Sequence, residues 1–357
     1  MVTEEPRTRC LDSTSQGNDP DLLKQAAVDL NGIPTVHSGA ARPNNLVEDI
    51  ASEAATTIKR EISSVGEDAA LTGCADGFFT LRTARREIRL GGKTLIMGIL
   101  NVTPDSFSDG GKYFFADQAV EEGLRMAEEG ADILDIGGES TRPGSDPVSL
   151  EEELRRVIPI IRALSKKTGI PLSIDTMKAE VAREALSAGA EIVNDVSAMN
   201  YDKAMPKVVA DAGAAIVLMH MRGTPKSMQT GDLTYRSLLG DVICFLKKRM
   251  ECAIENGIDP RQIMVDPGLG FGKTTSDNLR LIKYLGEFKA LGRPIVIGPS
   301  RKAFIGNITA EDTPTERVEG TAAAVTAAIL NGCNVVRIHD TSAMKKVAAV
   351  ADAILRA

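Results

Sequence analysis

From Leu95 to the C-terminus, short β-branched runs alternate with longer helical patterns, and the cycle repeats eight times. The runs are Leu95–Leu100, Asp132–Ile136, Leu172–Ile174, Glu191–Val193, Ala215–Met219, Ile263–Val265, Pro294–Ile297 and Val335–Ile338. Helical patterns such as Ala116–Glu129, Leu150–Ser165, Ala179–Ala188 and Tyr235–Asn256 lie between them. Several close on Gly130, Gly189, Gly213, Gly257 or Gly332, as a left-handed C-cap prefers. Strands that alternate with helices must pair in parallel through right-handed crossovers. Eight such units over about 260 residues match a closed (β/α)8 TIM barrel. An open doubly wound sheet fits less well, because no G-x-G-x-x-G turn follows the first strand.

Upstream of the barrel the chain reads differently. Phe79 to Leu90 alternates as a short hairpin, with Leu81, Ile88 and Leu90 apolar and Thr80, Arg82 and Arg89 outward. Residues 1–76 form a separate N-terminal extension, rich in Ser, Asn, Asp, Thr and Ala. Its first 40 or so residues have the composition of a weakly ordered segment. Asn45 to Val65 carries Leu46, Ile50, Ala54, Ile58 and Ile62 at spacings of four, which predicts one amphipathic helix. The expected division is therefore 1–76 and 77–357.

A net charge of −7 argues against a nucleic-acid or acidic-membrane partner, since both need a basic footprint. Five scattered cysteines without a C-x-x-C pair suit reduced thiols better than disulfides or zinc. No segment reads as a signal peptide or a membrane span, so a cytoplasmic protein is expected.

A barrel of this kind carries its chemistry at the C-terminal ends of the strands. Polar residues are dense there: Asn101, then Glu139 to Gly144, Asp175, Asn194-Asp195, Asp266, Ser300 to Lys302, Arg337 and His339. Singly, each has a plain reading. A strand-end Asp commonly caps a helix, the glycines from Gly268 to Gly272 commonly make tight turns, and His220 among apolar neighbours is most simply a packing residue. Seven of eight strands presenting polar groups to one mouth is harder to explain as capping. Asp175, Asp266, Asn194 and Lys302 suit a flat heterocycle with several N–H donors and a carbonyl. Arg337 and His339 share a strand face, and with Arg142 and Asn101 they suit a phosphate or pyrophosphate.

The same segments carry a family resemblance. MGILNVTPDSFSDGG (Met97–Gly111), DIGGESTRPG (Asp135–Gly144), SIDT (Ser173–Thr176), NDVSA (Asn194–Ala198), LMHMRGTPKSMQ (Leu218–Gln229), DPGLGFGK (Asp266–Lys273), GPSRKAFIG (Gly298–Gly306) and RIHD (Arg337–Asp340) resemble, in order and spacing, the signature segments of dihydropteroate synthases. The hairpin resembles that family's opening segment, and the stretch around Ile58–Leu71 resembles an extension of some bacterial members. The resemblance implies that Asp175, Asn194, Asp266 and Lys302 hold a pterin ring. It implies that Asn101 binds Mg2+ and that Arg337 and His339 bind the pyrophosphate. Phe107 would lie in a first mobile loop and Thr141, Arg142 and Pro143 in a second. Phe271, Ser300 and Lys302 would surround p-aminobenzoate, and a homodimer is expected.

The implied reaction displaces pyrophosphate from a pterin methylene carbon by the amine of p-aminobenzoate. An arylamine has a free lone pair at neutral pH and needs no strong base. Stabilisation of the leaving group by Arg337, His339, Asn101, Arg142 and Mg2+ is expected to dominate. Alternatives are a methyltetrahydrofolate:corrinoid methyltransferase, which needs no pyrophosphate site, and a non-catalytic pterin-binding paralogue. A phosphate-sugar aldolase ranks last, because Lys302 falls past its strand.

Overall fold

The computed structural model describes residues 77–103 and 112–357 of the chain. The N-terminal extension assigned to 1–76, its helix over 45–65, and Phe107 lie outside the described residues.

The hairpin forms as expected from β1 (Phe79–Arg82) and β2 (Glu87–Leu90), paired antiparallel with Leu81 opposite Ile88. Eight parallel strands follow: β3 (Leu95–Asn101), β4 (Ile133–Gly137), β5 (Leu172–Asp175), β6 (Ile192–Asp195), β7 (Ala215–Met219), β8 (Ile263–Asp266), β9 (Val296–Ile297) and β10 (Val335–Ile338). The sheet runs β8-β7-β6-β5-β4-β3-β10-β9, and a parallel bridge from Val265 to Ile295 links its two ends. Chain neighbours are sheet neighbours from β3 to β8, without the order reversal of a doubly wound sheet. The barrel reading is borne out.

Nine α-helices are described: α1 (Lys112–Glu128), α2 (Leu150–Lys167), α3 (Ala179–Ala188), α4 (Met205–Ala212), α5 (Leu238–Glu255), α6 (Thr275–Lys283), α7 (Ala303–Thr309), α8 (Val318–Leu330) and α9 (Thr341–Arg356). Helix α1 begins a turn earlier than the sequence pattern, and β9 is two residues shorter than expected. Proline explains the latter: Pro294 has no N–H to give a ladder, so its carbonyl accepts from Val265 N while regular pairing starts later. At the end of α3, Gly189 takes φ 127°, and a Cβ there would lie 2.4 Å from the Ser165 Cβ. No helix among the described residues is long and apolar enough to cross a membrane.

Side-chain alternation divides each strand between two cores. Ile96, Leu100, Leu134, Ile136, Ile174, Ile216 and Val336 pack under the helices. Met97, Ile133, Ile192, Val217, Met264, Val296 and Val335 fill the lower barrel interior, where Leu81 and Leu90 of the hairpin join them. The hairpin thus plugs the N-terminal end of the barrel. Its turn is tied down by Glu191, which takes Arg86 Nη2 at 2.7 Å and Nε at 3.0 Å, and the Thr83 hydroxyl at 2.7 Å. The carboxylate is buried while Arg86 stays partly in water. Glu191→Ala is therefore expected to lower stability by about 2 kcal/mol, as for lost hydrogen bonds to a charged group. Denaturant unfolding would measure it, with turnover at the opposite barrel end unchanged.

Candidate active site

One step further along the same inward-facing rows, the side chains become polar. Asp135 on β4, Asn194 on β6, Asp266 on β8 and Arg337 on β10 each lie two residues beyond an apolar interior position (Ile133, Ile192, Met264 and Val335), and Asp175 on β5 lies two beyond the buried Ser173. Such groups cannot face water sideways through a closed sheet, so they must satisfy one another. Arg337 Nε donates to Asp135 Oδ2 and Nη2 to Asp175 Oδ2, both at 2.6 Å. Asn194 Nδ2 donates to the same Asp135 oxygen at 2.9 Å. The second oxygens, Asp135 Oδ1 and Asp175 Oδ1, are buried without a hydrogen-bond partner among the described residues. Burial pushes the Asp175 carboxyl upward, with Arg337 opposing it.

Asp135 has no role in the sequence reading, which looked only past the strand ends. Its signal was available: a carboxylate in the apolar run Ile133–Gly137, in phase with the inward residues.

A second group forms around His339. Its Nδ1 meets Ser300 Oγ at 3.0 Å, its backbone N–H donates to the same oxygen at 3.1 Å, and Nε2 faces Asn101 Nδ2 at 3.5 Å. The ends of β3 and β10 and the loop after β9 thereby converge. Burial first, then Arg301, Arg337, Arg142 and Lys302, hold the His339 pKa down to about 3. The ring is neutral at physiological pH, and four cations raise the potential around it. Arg301 takes φ 58° on a non-glycine residue, held by its fork on Asp340 at 3.1 and 2.5 Å. That strained turn sets Ser300 and Lys302 on either side of it, a feature sequence patterns do not reveal.

The third group lines the wall. Lys302 Nζ lies 4.2 Å from the centroid of the Phe271 ring, a cation–π contact. Burial, then Arg337, draw Lys302 down to about 8, and burial raises Asp266 to about 6 although Gly268 N–H donates to it at 2.7 Å. Phe271 packs with Met177, Val196, Met219 and Met228, an apolar and polarisable surface suited to a flat ring. Sequence reading missed these methionines, which look like ordinary core residues.

Thr141, Arg142 and Pro143 sit in the loop after β4, where Arg142 and Pro143 are exposed. The loop's base is anchored: Lys178 pairs with Glu139 and with Glu153, the latter at 2.5 Å. Asp195, by contrast, is structural. It accepts from Ser197 N, Ser197 Oγ and Met199 N, bracing a turn in which Ala198 and Met199 have positive φ. Among the described residues no cluster of three His, Cys, Asp or Glu side chains could hold a metal.

Known proteins resemble this chain in sequence and fold. Residues 97–339 match the family described as pterin binding enzyme. The dihydropteroate synthase of Synechocystis is 49% identical over 267 residues, 74% of this chain and 92% of that protein. A structure of Xanthomonas albilineans dihydropteroate synthase with 4-aminobenzoic acid superposes with a TM-score of 0.73 at 45% identity, covering 78% of this chain and 99% of that one. The same enzyme in complex with 7,8-dihydropteroate gives 0.69 at 42% identity, covering 77% and 99%. With the barrel, the polar mouth and these likenesses together, the chain belongs to the dihydropteroate synthase family of pterin-binding enzymes.

Proposed function

We propose that the mouth joins the methylene carbon of 6-hydroxymethyl-7,8-dihydropterin pyrophosphate to the amine of p-aminobenzoate, giving 7,8-dihydropteroate and pyrophosphate. The observation that carries this reading is the pairing of two unlike sites. Buried acceptors with unpartnered oxygens lie at Asp135 and Asp175, and a cation-ringed neutral histidine lies at β10. The first is short of donors, which a 2-amino-4-oxo ring supplies. The second suits a polyanion.

In this reading Asp175, Asn194, Asp266 and Lys302 seat the pterin ring against the Phe271 wall. Arg337, His339 and Asn101 take the pyrophosphate, with Arg142 above them. Thr141 and Pro143 cover p-aminobenzoate beside Ser300 and Phe271, a task the family resemblance also gives to Phe107. Mg2+ fits only together with the substrate: Asn101 offers one amide oxygen, and Mg2+ characteristically combines one or two protein ligands with phosphate oxygens and water. When bound, the ion would neutralise charge developing on the leaving pyrophosphate.

The arylamine lone pair attacks the methylene carbon as the C–O bond to pyrophosphate breaks, and that electron pair leaves on the phosphate oxygen. The new anilinium nitrogen loses its proton to solvent. Arg337, held on two carboxylates, needs no reorganisation to meet the growing charge. His339 donates rather than abstracts, because a ring with a pKa of about 3 is a poor base. The corrinoid methyltransferase alternative would share the ring seat but leave the Arg337–His339–Ser300 group without a task.

The family expectation of a homodimer finds support in α8 and α9. Helix α8 reads VEGTAAAVTAAIL, mostly apolar after Glu319, and Leu330 at its end and Val350 and Ile354 on α9 are exposed. We place the dimer contact on that face. The free thiols of Cys244, Cys252 and Cys333 suit the cytoplasm proposed for it.

Three measurements test the proposal. Arg337→Ala should lower kcat about 100-fold or more in a coupled pyrophosphate-release assay with Mg2+, with the circular dichroism spectrum kept. Near-normal turnover would remove the anion assignment. Asp175 and Asp266 suit positive charge on the pterin methylene, so a loose transition state with a normal secondary deuterium isotope effect there is expected, and an inverse or negligible effect would contradict it. Val350→Asp combined with Ile354→Asp should yield monomers in sedimentation velocity; an unchanged dimer would move the contact elsewhere.

A further inference from the structure

Lys273, on the loop between β8 and α6, is 3% exposed, and the proposed mechanism gives it no part. Its Nζ lies 2.9 Å from His220 Nδ1, 3.4 Å from His220 O and 3.1 Å from Phe271 O. All three partners are neutral acceptors. Burial, with Lys273 and Arg222 beside it, holds the His220 pKa down to about 2, so the ring receives a hydrogen bond and carries no charge. A buried ammonium whose close partners are all neutral is costly, and an apolar side chain of the same shape is commonly more stable. Its presence calls for a function.

The geometry shows what the ammonium joins. The His220 backbone follows β7, and Phe271 follows β8, so one side chain stitches two adjacent loops of the mouth. The loops already press together. A Cβ on Gly268 would fall 2.0 Å from His220 O, and one on Gly272 would fall 2.9 Å from Arg222 O. Asn278 Oδ1 accepts from Gly270 N at 2.7 Å, and Tyr235 donates its hydroxyl to Gly272 O at 2.8 Å. Within this packed turn, Lys273 fixes the Phe271 carbonyl, and the ring of that residue carries Lys302. It also sets a positive charge behind Asp266.

We propose that Lys273 is a positioning residue for the pterin seat: its buried ammonium locks the Asp266–Phe271 turn onto His220 and keeps Asp266 an ionised acceptor for the ring. This rests on the reading of Asp266 as a pterin contact. The groups acting on Asp266 are Gly268 N–H and Lys273 from its own loop, Lys302 from the loop after β9, and Arg337 from β10. Burial lowers Lys273 first and Lys302 adds to it, while Asp266 and Asp277 oppose the shift. Asp266 stands at about 6 and Lys273 at about 7, so near pH 6 the ammonium is still charged while the carboxylate titrates. Removing the positive neighbour raises the Asp266 pKa, and the ring seat is then lost at higher pH.

The test compares the full-length protein with Lys273→Met, Lys273→Gln and Asp266→Asn. The readouts are KM and kcat for both substrates, melting temperature, and calorimetric affinity for dihydropterin pyrophosphate from about pH 5 to about pH 8. Lys273→Gln retains N–H donors without charge, and it carries the test if Lys273→Met fails to fold. Both lysine variants should raise KM for the pterin substrate about tenfold and move the acid limb of its affinity up by about one pH unit. The melting temperature checks that each variant is folded; the shifted acid limb is the change that a merely structural lysine would not produce. An acid limb and a pterin KM that stay at their parental values in Lys273→Gln, while Asp266→Asn loses affinity, overturn the proposal. Full pterin affinity in Asp266→Asn would instead overturn the ring-seat reading beneath it.

Discussion

Arg337 lies inside a closed sheet and must find its counter-charges there. Two carboxylates from two other strands meet it, Asp135 and Asp175, and Asn194 joins through Asp135. Strands β4, β5, β6 and β10 are thereby fixed in register at the height where the mouth begins. The parallel ladder dictates which residues can take part, because its two-residue period sends every second side chain inward. A one-residue slip in any of these strands would turn a charge into the apolar layer beneath the helices. Register and site are consequently one constraint.

The two ends of the barrel divide the labour that this constraint creates. Below the polar layer, Met97, Ile133, Ile192, Val217 and Met264 form an interior sealed by the hairpin, and Glu191 pins that seal. Above it, Asn101, Ser300 and His339 bring strand ends together through weaker and more open contacts. The apolar packing lies at the closed end, while the mouth holds the buried oxygens of Asp135 and Asp175 and the positive-φ backbone at Arg301, the kind of local strain that functional sites carry.

Much of this was legible in the chain. Eight strands, their parallel order and the hairpin follow from periodicity, since alternation and helix patterns depend on local sequence. The positions of Asp175, Asn194, Asp266, Lys302, Arg337 and His339 at one mouth follow from the barrel rule. What was not legible depends on contacts across the barrel. Asp135 looked like part of an apolar strand until Arg337, 202 residues away, stood against it. The methionine wall and the Lys273–His220 pair arise from loops that meet only in the fold. Pro294, just before β9, explains the one strand whose length was overstated.

The distribution of charge also decides between kinds of catalysis. A mouth built for base catalysis would need a group poised near neutrality and free to take a proton. His339 is held near 3 by burial and four cations, and His220 near 2 by burial and Lys273. Burial raises Asp175 to about 7 and Asp266 to about 6, but neither is free: Arg337 favours the ionised form of the first, and Gly268 N–H, Lys302 and Lys273 favour that of the second. Removing the cations that depress His339 would make it a better base and the pocket a poorer anion site. In the proposed reading, proton abstraction is sacrificed for anion stabilisation, the sensible allocation when the nucleophile is an arylamine and the difficult event is the departure of a pyrophosphate.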